Sequence, residues 1–166
     1  MADAFVLFLL FVVCVGGFSR GILGQLWSLA ALLLTTYVTG KLYLSFASVV
    51  GPLVKDEAGG RLLAFLFVFV VTNAILNGPV YAIIDRMRGP STDSGEITPR
   101  LVAAALGALT GVVLIQVGAA LLVTYPILGW DNWIRSSDVI KLYVGQWPVV
   151  IILLPPELRY SIQLLR

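Results

Sequence analysis

A chain of 166 residues with 59% apolar side chains, 12% charged and a mean hydropathy of +0.97 stands far from the soluble norm of about 25% charged residues, and this places it in a bilayer. The lack of histidine and the single cysteine, Cys14, exclude imidazole metal sites, Ser/His/Asp triads, Cys/His dyads and intramolecular disulfides. A net charge of +2 is too small to point to nucleic acid, and no Gly-rich loop follows a strand to cradle phosphate.

Uncharged runs extend over Ala4 to Ser19, Ile22 to Gly40, Leu62 to Ile84 and Leu101 to Trp130. A spanning helix needs roughly 17 to 25 residues, so the first run is marginal and the others suffice. Lipid offers backbone amides no partner, and no ten-residue alternation suggests a barrel. The expected fold is all-α and integral to the membrane. It has four transmembrane helices, an interfacial or re-entrant segment between helices 2 and 3, and an amphipathic C-terminal tail. Residues 1–130 would form the transmembrane domain and 131–166 the interfacial tail.

Between the first two runs, Arg20-Gly21 reads as the tight turn of a helical hairpin, with the arginine stem snorkelling to the headgroups. The first run is not preceded by Lys or Arg and Asp3 is acidic, so it reads as a retained anchor rather than a secretory signal. Residues 41–61 are apolar at their centre but interrupted by Gly51-Pro52. They are expected to lie in the interface or to re-enter it, with Gly59-Gly60 loosening the exit.

In the third run Asn73, Asn77 and Tyr81 share one helix face and Gly78-Pro79 should kink the helix. The stripe reads either as a water-lined path or, as we prefer, as interhelical hydrogen bonding, because no intramembrane charge accompanies it. Residues 85–100 form the most polar stretch and read as an exposed loop. In the fourth run Ala103, Gly107 and Gly111 repeat every four residues and Gly118 follows a heptad later, a face without bulk against which another backbone can pack. Gln25, Ser28 and Gln116 are placed to hydrogen-bond across such contacts.

The tail places Trp130, Trp133 and Trp147 close to charges, as interfacial anchors. Its apolar core, Pro148 to Leu154, is too short to cross and ends at Pro155-Pro156. A helix in the interface or docked on the spans should be followed by a short second one. The acidic residues all fall outside the four uncharged runs and read as solvated loop carboxylates rather than catalytic groups.

The stretch Arg20-Gly21, Gln25, Ser28-Leu29, with Asp3 near the start, resembles the Arg-Gly, acidic-or-Gln, Ser-Leu spacing of the colicin V production protein family. Arg100 with Gly107-Ala108-Leu109 and Gly111 is similar to that family's arginine and glycine ladder, and Trp133 with Ser136 to its Trp-x-x-Ser tail entry. Ala103 stands where glycine is usual and Thr110 where a basic residue often sits. The resemblance implies a four-span bacterial inner-membrane protein with a role in toxin production or export and envelope maintenance, and without catalytic residues or cofactors.

The function so expected is that of a non-enzymatic membrane scaffold or assembly factor. The alternatives are a transport component with a polar path through the third run, and an accessory subunit of a larger membrane complex. The partners expected are membrane lipids and other integral membrane proteins or further copies of the chain, with no nucleic acid. Four spans place both termini on one side. Seven basic residues stand on that side against four opposite, but without the tail the balance becomes three against four, which favours termini outside and Arg20 with residues 85–100 in the cytoplasm.

Overall fold

A computed structural model describes residues 2–51, 54, 56–87, 97–125, 136–143 and 148–163. Helix α1 covers Ala2–Val50, α2 Glu57–Met87 and α3 Ile97–Thr124. Among the described residues that follow are the short helices α4 (Asp138–Tyr143), α5 (Pro148–Leu153) and α6 (Pro156–Gln163).

The 49 residues of α1 are not one rod. At Gly21 the backbone leaves helical geometry with φ 73° and ψ 169°, a conformation open to glycine because it has no Cβ. Contacts on either side show the consequence. Gly17 lies against Ala103 and Gly107, and Leu10 lies against Gly111, so the first arm runs antiparallel to α3. On the second arm Gln25 bonds Thr110, and Tyr43 meets Tyr125 at the carboxylate of Glu157, so this arm runs parallel to α3. The chain therefore reverses at Gly21, one residue after Arg20, whose side chain lies outside the described residues. Helix α2 returns along the second arm, with Gly60 beside Gly51, Phe65 edge-on to Tyr43 at 5.5 Å and Leu76 at Trp27.

Among the described residues three helices are long and apolar enough to cross a membrane: Gly21–Val50, Glu57–Ile83 and Thr98–Thr124. The segment expected as a further span is the shorter apolar helix Asp3–Phe18. Small and polar side chains face inward on these helices, while Phe8, Phe11, Leu23, Val70 and Ile75 are exposed, an arrangement that suits lipid rather than water.

The separate interfacial or re-entrant segment expected over residues 41–61 is not what forms. Lys41 to Val50 complete α1 and Glu57 onward belongs to α2, leaving residues 51–56 as the connection. Lys41 ends an apolar run without ending a helix: its ammonium lies 5.9 Å from the Tyr37 ring centre, and a lysine stem can lie along a helix that continues. Asp56, expected as a loop carboxylate, caps α2 by accepting from the amides of Ala58 (3.2 Å) and Gly59 (3.1 Å). Gly59 and Gly60 are buried within α2 rather than loosening its start. Across Gly78-Pro79 α2 stays helical, and Trp27 donates to the Leu76 carbonyl at 3.3 Å, one residue from the Ile75 carbonyl that Pro79 leaves without its helical donor.

The tail docks on the bundle. Leu154 and Leu158 join Leu32, Tyr43, Phe65 and Val117 in the core cluster, and α6 packs mainly on α3. Helix α4 was not expected. It forms because Ser137 caps it, accepting from the Ile140 amide at 3.2 Å.

Candidate functional site

Two places unite residues far apart in sequence: a close helix crossing and a latch that holds the tail. At the crossing, a Cβ added at Gly17 would stand 2.6 Å from the Ala103 carbonyl oxygen and 3.0 Å from the Gly107 Cα. A Cβ at Gly107 would stand 2.9 Å from the Val13 carbonyl and 3.1 Å from the Gly17 Cα. The obstacles are backbone atoms, which cannot swing away, so the first arm and α3 touch backbone to backbone. The small-residue face of α3 thus meets a helix of its own chain. Gly111 belongs to the crossing, since a Cβ there would stand 3.0 Å from a Leu10 methyl, whereas Gly118 does not: a Cβ there would meet nothing within 4 Å. Gly17 was missed in the sequence, although it follows Gly16 and stands four residues before Gly21.

One turn beyond the crossing, the Gln25 amide donates to the Thr110 hydroxyl at 3.2 Å, and that hydroxyl donates to the Leu106 carbonyl at 2.8 Å. Thr110, where the resembling family often has a basic residue, therefore holds a neutral buried contact. Thr35, Thr36 and Thr39 are also fully buried, and sequence reasoning missed them although "TTYVT" places polar groups four residues apart in an apolar run. Thr36 donates to the Leu32 carbonyl, while the hydroxyls of Thr35 and Thr39 and the Oε1 of Gln25 have no hydrogen-bond partner among the described residues. Ser28 is half-buried and Gln116 fully buried.

The latch has two halves. Asp3, in the first turn of α1, accepts from the buried Ser137 hydroxyl at 2.6 Å and from the Val139 amide at 3.2 Å, so the start of the chain caps α4. On the other half, Glu157 of α6 accepts at one oxygen from the hydroxyls of Tyr43 and Tyr125, the latter at 3.3 Å. Burial pushes the Tyr125 phenol above its ordinary pKa, so it remains a donor. Pro155 rests on Gly40, where a Cβ would come 3.1 Å from its ring. Arg159 closes α5 by donating to the Leu154 carbonyl at 2.7 Å and to that of Ile152.

Asn73 and Asn77 bond each other, Asn77 donating at 2.7 Å, on a helix whose one extensive contact is with α1. Tyr81 continues their face, half-buried. Trp130, Trp133 and Trp147, and the loop tip at residues 88–96, lie outside the described residues. Among the described residues no three Cys, Asp or Glu side chains converge as a metal site requires.

With this geometry in hand, the comparison with family models is decisive: the model described as Colicin V production protein matches residues 2–147. The chain belongs to the Colicin V production protein family. The match takes in the crossing and the α4 half of the latch and ends before α5 and α6, so Glu157 lies beyond it. Neither the comparison with curated proteins nor that with solved structures gives a match.

Proposed function

We propose that this member of the Colicin V production family is a non-enzymatic scaffold or assembly factor of the inner membrane, serving toxin production or export by engaging other membrane proteins through α2. The observation that carries the reading is the poor burial of that helix. In its most apolar stretch only 17% of residues are buried, and its Asn73–Asn77 pair has no hydrogen-bond partner outside the helix among the described contacts. A polar pair in hydrocarbon gains by meeting a second helix, and the exposed residues beside it leave room for one. A photo-crosslinking side chain at Ile75 tests this in cells. Adducts to one defined membrane protein are expected, and adducts to lipid alone would overturn the reading.

The same proposal takes the first arm of α1 as a fourth pass. Asp3 and Tyr43 both reach the end of α3 that carries the tail, so the two arms together cover the length of the bundle. Both termini then share one side, which we assign to the outside. In a Cys14→Ser background, a cysteine at Ser94 should resist a membrane-impermeant thiol reagent until cells are permeabilised. Labelling in intact cells would reverse the assignment.

One observation favours a transport role instead: the buried, unpartnered oxygens of Gln25, Thr35 and Thr39 lie along one arm in the bundle interior. Replacing Thr35 and Thr39 with valine separates the readings. A scaffold keeps its function at full abundance, whereas a path for a polar solute loses it. A fixed accessory subunit would behave as the scaffold does, but would co-purify in constant stoichiometry with one complex.

A further inference from the structure

A cavity of about 260 Å³ opens between the first arm of α1, α2 and α3. Phe5 and Leu9, Phe65 and Phe69, and Leu114 and Leu122 form its walls, and Ile140 of α4 closes one end. The cavity owes its depth to Gly118, which lines it and whose missing Cβ would meet nothing within 4 Å. Helix α3 is therefore notched twice by glycine, once where a backbone fills the notch and once where no described residue does.

The length of the groove identifies its surroundings. From Leu114 to Leu122 α3 rises about 12 Å, against about 15 Å for the hydrocarbon of one leaflet in a 30 Å core. The groove starts at the tail end of the bundle and stops near its middle, as a path within one leaflet should. Its walls are aliphatic and aromatic, so water has no partners there.

Charge marks the closed end. Arg61 stands one turn before Phe65 on the same face of α2, and Lys141 follows Ile140. Among the described residues Arg61 pairs with Glu57 at 2.7 Å and Lys141 with Asp138 at 3.5 Å, each within its own helix and partly exposed, and the Glu157 carboxylate also acts on Arg61. Both signs of charge thus stand where a headgroup would sit, which matches a phosphate carrying its own ammonium. We propose that the groove binds one acyl chain of a zwitterionic phospholipid, with the headgroup at Arg61 and Lys141.

The full chain in nanodiscs, doped with phosphatidylethanolamine bearing a diazirine in its chain, tests this. After irradiation, adducts should concentrate several-fold on Phe5, Leu9, Phe69 and Leu114 over Leu23, Val70 and Ile75, although the latter three are the more exposed. Gly118→Leu fills the notch and should remove that excess while leaving adducts at Leu23 and Ile75 unchanged. Gly118→Ala, which adds a single methyl, should reduce it in part. Even labelling over all exposed apolar residues, an excess that survives Gly118→Leu, or protein–protein adducts at the groove would overturn the proposal.

Discussion

Helices α2 and α3 are near equals in hydropathy and length, 31 and 28 residues, yet in their most apolar stretches 17% of the residues of the first are buried and 56% of the second. Hydropathy measures the transfer of a segment into lipid and says nothing of which helix another helix will approach. The size of the side chains decides that. In hydrocarbon an outward leucine loses nothing, so association rests on contact and hydrogen bonds, and only a face of small residues lets two backbones touch. Helix α3 offers Ala103, Gly107 and Gly111 to the first arm, whereas α2 carries Leu63, Leu66, Phe67, Val70 and Ile75 outward.

The comparison breaks most visibly at Gly107. Gly107→Leu should drive a side chain into the Val13 carbonyl and the Gly17 Cα, with no rotamer that escapes, and should cost more than about 3 kcal/mol. Loss from the membrane fraction, or a collapse of detergent melting temperature, is the expected result. Normal abundance and an unchanged melt would mean that the first arm is not seated as described. The matching change on α2, Val70→Leu, should leave both measurements unaltered because that side chain is exposed.

The latch comes next in size. Asp3→Ala leaves the buried Ser137 hydroxyl and the Val139 amide without their acceptor, a loss of about 1 to 3 kcal/mol. The tail should become sensitive to limited proteolysis after Tyr125 while α1 to α3 remain protected. If Asp3→Ala and Glu157→Ala cost no more together than the larger single change, the two halves act as one device. Simple additivity would show two independent attachments.

What was legible in the sequence follows the same division. Uncharged runs located the three long helices and the turn at Arg20-Gly21, because exclusion of charge from lipid is a property of single residues. The end of α1 was misread because Lys41 looked like a boundary, although a long cationic stem can lie along a helix that continues. The spacing of Ala103, Gly107 and Gly111 marked a packing face but not its partner, since the glycine four residues from Gly17 is Gly21, which belongs to the turn. Glycine identity also could not separate Gly111 from Gly118, which share a helix and differ only in what stands opposite. Asp3 and Ser137 meet across a separation of 134 residues, a pairing that no local pattern encodes.

A smaller effect is expected at the polar pair on α2. Replacing Asn73 and Asn77 together with leucine removes a bond internal to one helix, which should change stability by only about 0.6 to 1.7 kcal/mol. Protein level should hold, and an export or growth assay normalised to it then reads the role of the face. Loss of function at full abundance assigns α2 to a partner or a path, while retained function makes the pair a local accommodation and leaves α2 as a lipid-facing wall.

The smallest expected effect separates two glycines of α3 from each other. Gly118→Ala meets no atom and replaces the least helix-prone residue short of proline, so it should stabilise the chain slightly, by about 0.5 kcal/mol. Gly107→Ala presses the same methyl against two backbones and should destabilise it. The two substitutions are chemically identical and eleven positions apart on one helix, so propensity, hydropathy and depth in the bilayer cannot give them opposite signs. Only the contact of the first arm at Gly107 and its standing off across the cavity at Gly118 can. A detergent melting curve that rises for one and falls for the other would place the packing of α3 in its neighbours rather than in its own sequence. Equal shifts of either sign would show that the crossing yields more readily than its backbone contacts imply.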